Sequence, residues 1–431
     1  MLKKCFSTLF LGIILILLVG CGTSSDNNKK NDDDLNNDND FPVNTVPNEN
    51  EGAYEKIVSP NNKLGIKLLE EIETDDNQNL FISPTSLLIA LSMVYNGADG
   101  VTKEEISSVL EVEGIDTEEL SQANEAFMTK LKTDTDEIEL RIANSIWLNE
   151  DLHFQEGFIK NNEDYFQAIT EQIDVNDNNS ANKINDWVKN ATNNKIDEIV
   201  KPPLNSDLVS ILINAIYFKG DWKYEFDKNL TEDRDFHLAD GTTKPTPFME
   251  IRDEEFYFME NEEFQSVVLP YGKDENMSMQ LFLPREKSSL EEFQQNLTAD
   301  KWEKWNSELS KQEGTVILPK FQLEYEVLLN DALTALGMPS AFTREANFSK
   351  MIEEDIAIWI DTVKQKTFID VNEEGTEAAA VTSVEVVMES FTEDMPFHMN
   401  LDRPFFFVIK DNETEAILFM GSISEPMQAE E

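Results

Sequence analysis

Thiol chemistry is almost absent from this 431-residue chain, whose only cysteines, Cys5 and Cys21, lie at its amino-terminal end. The remainder can therefore hold neither a disulfide framework nor a cysteine nucleophile, and its stability must come from core packing. Histidine is nearly as scarce. His153, His237 and His398 are far apart, in no metal-ligand spacing. No G-x-S-x-G elbow and no glycine-rich phosphate loop occurs. Asp174-Val175-Asn176-Asp177 begins like a calcium loop but lacks its glycine and terminal glutamate. Positive charge is also short: 35 Lys and Arg against 85 Asp and Glu give a formal charge of −50. That excess argues against nucleic-acid binding, which needs basic stripes. Acids are frequent enough to leave an Asp/Glu-only hydrolase open, yet no catalytic constellation emerges, and neither a metal nor a cofactor is expected.

What is present begins with a leader. Lys3 and Lys4 precede an apolar run, Phe6–Val19, too short for a comfortable membrane span. A basic start and short apolar core predict a signal peptide over residues 1–20. The run ends in Leu18-Val19-Gly20-Cys21, which resembles the bacterial lipobox and makes Cys21 the expected lipidation site. A plain signal peptide or an uncleaved anchor is the alternative. Residues 21–54 are rich in Asn and Asp and too poor in apolar side chains to offset their ordering entropy. They are expected to form a disordered tether, leaving one globular domain over 55–431.

Within that domain helical and strand signals mix without βαβ regularity, which indicates an α+β fold. A helix is expected from about Asn61 to Ile72. A second follows Ser83-Pro84, since proline suits a first helical turn, and runs through Tyr95. Ser180 is the expected cap of a helix carrying Ile184, Trp187 and Val188. Strands are expected over Ile142–Leu148 and Val209–Phe218. Hairpins are expected about Gly272 and about Asp411-Asn412-Glu413-Thr414.

One segment is unusual. From Thr376 the chain reads Thr-Glu-Ala-Ala-Ala-Val-Thr-Ser-Val-Glu-Val-Val-Met-Glu-Ser. At a strand period of two, one face holds Thr376, Ala378, Ala380, Thr382, Val384 and Val386, all small or β-branched. Pattern alone favours a long central strand, with a helix through the alanine triplet as the alternative.

From about Glu55 to Ile423 the chain resembles the serpins. The resemblance rests on Phe81-Ile82-Ser83-Pro84-Thr85-Ser86, on Asn214-Ala215-Ile216-Tyr217-Phe218-Lys219-Gly220-Asp221-Trp222 and on Leu318-Pro319-Lys320-Phe321. It rests further on Glu373-Glu374-Gly375-Thr376-Glu377-Ala378-Ala379-Ala380, on Asp402-Arg403-Pro404-Phe405-Phe406-Phe407 and on Leu418-Phe419-Met420-Gly421, in the family's order. It implies three β-sheets, about nine helices and an exposed reactive-centre loop from about Gly375 to Pro396. A target endopeptidase would cleave that loop, remain attached as an acyl-enzyme, and be carried along as the loop enters the main sheet.

By the same resemblance, the hinge is Gly375, Thr376, Glu377, Ala378, Ala379 and Ala380. The scissile bond falls at Glu389–Ser390, with Met388–Glu389 as second choice. Glu389 would suit a glutamate-preferring protease, and Met388 an elastase- or subtilisin-like pocket. Ser83, Ser86, Asn214 and Gln365 match the polar cluster through which the sheet opens. Gln365 stands where many relatives carry histidine, so pH sensing is not expected there. Trp222, Lys320 and Glu373 match the start of insertion, with Lys320 and Glu373 expected to pair. The implied protein is a monomeric suicide inhibitor outside the cell, held to the membrane only by lipid on Cys21. A non-inhibitory serpin-fold binding or scaffold protein is the alternative.

Overall fold

The computed structural model describes residues 52–72, 79–206, 208–376 and 396–428. The expected leader, Cys21, most of the tether and the loop residues 377–395 lie outside the described residues. In chain order the first half comprises α1 (Glu55–Glu71), β1 (Leu80–Ile82), α2 (Pro84–Tyr95), α3 (Gly100–Val109), α4 (Thr117–Leu131), β2 (Thr133–Asp134), β3 (Ile138–Asn149), α5 (Glu156–Phe166), β4 (Ile169–Ile173), α6 (Asn178–Ala191) and β5 (Ser210–Asp221). There follow β6 (Glu232–His237), β7 (Thr243–Glu260), β8 (Phe264–Tyr271), β9 (Met277–Pro284), α7 (Leu290–Asn296), α8 (Ala299–Glu308), β10 (Ser310–Pro319), β11 (Phe321–Leu328) and α9 (Asn330–Leu336). The last strands are β12 (Lys364–Val371), β13 (Gly375–Thr376), β14 (Phe397–Asn400), β15 (Phe405–Asp411) and β16 (Ile417–Ile423).

Local chemistry accounts for the helix starts. Ser83 caps α2, its side chain accepting the Ser86 N–H at 3.2 Å, and Pro84 opens the first turn. Nearly every residue of α2 is buried, as befits a helix apolar all round. The helix expected from Asn61 begins earlier, at Glu55, and Pro60 within it forfeits a single ladder bond. The cap of α6 is Asp177, not Ser180. The Asp177 carboxylate accepts the Asn179 N–H at 2.9 Å, while Ser180, already inside the helix, turns its hydroxyl back to the Asp174 carbonyl.

Two sheets enclose the core. One has the order β11-β12-β13-β5-β3-β2, with β4 added in parallel along β3. The other runs β1-β16-β15-β9-β8-β7-β10-β14, with β6 on β7. The 18-residue β7 takes part in two layers, pairing β6 and β10 along most of its length and β8 at its end. The second and third sheets implied by the sequence are thus hydrogen-bonded into one path. Helix α2 packs between β5 of one sheet and β16 of the other. The expected hairpins are β8–β9 about Gly272 and β15–β16 about Asp411–Thr414, and β9 and β16 are buried along their whole length.

Candidate functional site: an open sheet

The site is a gap in the first sheet. Strands β5 and β12 run parallel to each other and share no backbone pairing among the described residues. Among the described residues they are joined only at one end, where β13 lies antiparallel to both. Gly375 stands opposite Asp221, and Thr376 between Gly220 and Val371. The approach is close: a Cβ on Gly375 would lie 2.2 Å from the Gly220 carbonyl oxygen, so only glycine fits.

At this mouth three distant segments meet. The Trp222 N–H donates to the Glu374 carbonyl at 2.8 Å and its indole Nε1 to the Asn372 carbonyl at 3.0 Å. The Phe226 N–H donates to the Glu373 carbonyl. Lys320 Nζ lies 2.8 Å from the Glu373 carboxylate, which also accepts the Thr231 hydroxyl at 2.8 Å. Burial disfavours that carboxylate, yet these bonds hold its pKa below the usual carboxylate value. Asp221 behaves oppositely. Burial raises its pKa against the pull of Lys219, with Glu137 and Glu374 adding to the rise.

Thr376 is the deepest hinge residue described. Its hydroxyl lies 2.6 Å from that of Tyr271, which is fully buried and stacked on Trp222 with ring centroids 4.4 Å apart. Burial raises the Tyr271 pKa far above its ordinary value, so it stays protonated. Sequence reasoning missed Tyr271 and Thr231. Both reach the mouth from elements remote in sequence, and neither belongs to a motif.

Further down, a cavity of about 290 Å³ separates the two strands, with Leu87, Leu91 and Val94 of α2 at its inner side. Ser83 and Gln365 are joined by a pair of bonds: the Ser83 N–H donates to Gln365 Oε1 at 2.8 Å, and Gln365 Nε2 donates to the Ser83 carbonyl at 2.9 Å. Thr367, on the same face of β12, donates to the Phe81 carbonyl at 2.6 Å. Asn214 lines the same cavity as Ser86 and Gln365, but its amide donates away from them to Asn144 Oδ1 at 2.6 Å. Its own Oδ1 is buried with no partner among the described residues. Of the other residues singled out in the sequence, Glu377, Ala378, Ala379, Ala380, Met388, Glu389 and Ser390 lie outside the described residues.

A pairing register extends from this geometry. An antiparallel strand continuing β13 would place every second residue from Thr376 on the inner face, and would set position 382 between Asn214 and Gln365. The opening is thus one strand wide at its mouth, and its inner side carries Ser86, Asn214 and Gln365 beside the apolar side chains of α2.

Comparison with known proteins agrees with this architecture. The family described as Serpin (serine protease inhibitor) matches residues 59–426. An uncharacterized serpin-like protein of Methanosarcina mazei is 33% identical over 89% of this chain and 90% of its own. The thermophilic serpin tengpin in its native state superposes with a TM-score of 0.78 at 32% identity, over 86% of this chain and 94% of that one. Human thyroxine-binding globulin does so with a TM-score of 0.79 at 26% identity, over 88% and 100%.

Proposed function

The chain belongs to the serpin family, and from that premise we propose that it is a suicide-substrate inhibitor of serine endopeptidases, with cysteine endopeptidases as a second class. The observation that carries this reading is the one-strand gap between β5 and β12 with Gly375 and Thr376 already seated in its mouth. The protease nucleophile attacks the Glu389 carbonyl carbon and the Glu389–Ser390 bond breaks. The Ser390 nitrogen leaves with the nucleophile's proton as a new amino terminus, and an ester, or a thioester with a cysteine enzyme, joins Glu389 to the protease. Insertion competes with the water that would hydrolyse this ester.

Three features support insertion. Thr376, Ala378, Ala380 and Thr382 are small enough to pass the crowded mouth. Backbone groups facing the gap on β5 and β12 gain partners from an added strand. At position 382 the register brings a threonine hydroxyl to the orphaned Asn214 Oδ1. Cys21 would tether the inhibitor to the outer face of the cell membrane as a lipid-anchored monomer.

The test incubates the protein with a glutamate-preferring protease and with elastase-, subtilisin- and papain-like enzymes. A complex that survives denaturing gels, with a released peptide beginning at Ser390, is expected. Cleavage by each enzyme without a complex would overturn inhibition and favour a binding role, as the name of thyroxine-binding globulin indicates for that relative.

A further inference from the structure

Past β16 the chain turns toward the first sheet. Asn79, just before β1, makes the turn: its Oδ1 accepts the N–H groups of Ser424 at 2.8 Å and Glu425 at 3.0 Å, and its Nδ2 donates to the Glu425 carbonyl at 2.8 Å. Lys244 of β7 holds the next stretch, its Nζ donating to the Glu425 carboxylate at 2.7 Å and to the Pro426 carbonyl at 3.0 Å. The segment then reaches the outer strand of the first sheet. The Gln322 N–H, on the free edge of β11, donates to the Met427 carbonyl at 2.8 Å, a single rung of an added strand. Gln428 Nε2 donates to the Lys320 carbonyl at 2.6 Å. The Met427 side chain is exposed, so bonds rather than burial seat this end.

These last bonds fall beside the mouth. Lys320 joins β10 to β11 and belongs to neither strand. Its N–H donates to the Pro247 carbonyl of β7 at 2.8 Å, and its carbonyl is the one that Gln428 holds. With its backbone fastened on both sides, Lys320 carries its ammonium to the buried Glu373 carboxylate, just before Gly375. A buried carboxylate deprived of its opposite charge keeps the full cost of leaving water, so whatever aims Lys320 also steadies the first residues of the loop.

We propose that Gln428 is a positioning residue: with Lys244 behind it, it holds the carboxy-terminal segment on Lys320, aims that ammonium at Glu373 and keeps Gly375 and Thr376 seated. Its consequence for trapping rests on the inhibitory reading above, because a loop base that has left the mouth must find it again while water attacks the ester. The contact itself is tested without a protease, by urea denaturation of the full chain in detergent. Gln428→Ala should lower the midpoint, and in a Glu373→Gln background it should lower it much less, since the ion pair it serves is already gone. Lys244→Met frees the segment from its other support and should couple to Glu373→Gln in the same way. With a protease that the wild type traps, both single variants should raise the ratio of cleaved to trapped inhibitor about fivefold, equivalent to about 1 kcal/mol. Additive losses with Glu373→Gln would overturn the positioning role. Coupled losses with an unchanged ratio would overturn the segment's part in trapping. A wild-type chain that traps no protease would overturn the inhibitory reading and that part with it, while the denaturation cycle still decides the contact.

Discussion

The hydroxyls of Thr376 and Tyr271 lie 2.6 Å apart, joining the first residues of the loop to β8 of the opposite sheet. Both groups are buried, so neither has water as a substitute partner. Tyr271→Phe should lower the unfolding midpoint by an amount corresponding to about 1–3 kcal/mol, the cost of leaving the Thr376 hydroxyl unsatisfied. Thr376→Val in the same background should recover most of the loss, because both partners are then apolar. Additive losses in urea denaturation would contradict this pairing.

The ion pair Lys320–Glu373 gives the mouth a pH dependence of definite sign. The Glu373 pKa is depressed in the folded chain. Its contribution is therefore present above the unfolded value of about 4.3 and is lost as pH falls through the folded value. Glu373→Gln should cost about 1.5–3 kcal/mol at neutral pH, the scale of a hydrogen bond to a charged group. The two proteins should converge in stability in strong acid. Denaturation curves that stay equally separated at every pH would refute the assignment.

Gln365 holds the Ser83 N–H and C=O together without a titratable group. Gln365→Ala should destabilise the protein by about 1–3 kcal/mol, the cost of leaving the buried Ser83 N–H without a partner, while the Ser83 carbonyl keeps its bond from the Leu87 N–H at 3.2 Å. Gln365→His should add a stability transition near the ordinary histidine range, about pH 6.5, that is absent from the wild type. Indistinguishable pH profiles for wild type and Gln365→His would show that this position does not control the contact.

Cys21 carries the anchoring expectation. Cys21→Ser should move the protein from the membrane fraction to the medium and abolish incorporation of labelled fatty acid. Retention of the label by the variant would contradict lipidation at that sulfur.

Features fixed by neighbouring residues were legible in the sequence. Ser83-Pro84 announced α2, and the polar turns at Gly272 and Asp411–Thr414 announced their hairpins, because caps and turns depend on residues a few positions apart. The α6 cap was misread because Asp177 and Ser180 are both capping residues, and only the path of the backbone decides between them. The site was legible mostly through the family resemblance, which placed Trp222, Lys320 and Glu373 together and led to Ser83 and Gln365. Tyr271 and Thr231 gave no such signal. Each acts on a backbone or side chain brought close only by the folded sheet, and neither spacing nor composition marks them. The orientation of Asn214 toward Asn144, away from Ser83, depends on an amide rotamer that sequence does not determine.

The most direct measurement is the structure of the protein after its loop has been cut at Glu389–Ser390. The account predicts a full-length strand between β5 and β12 in the register begun by Gly375 and Thr376. Thr382 should lie between Asn214 and Gln365, its hydroxyl on Asn214 Oδ1. A cleaved protein whose β5 and β12 remain separated below Thr376, with that opening empty, would contradict it.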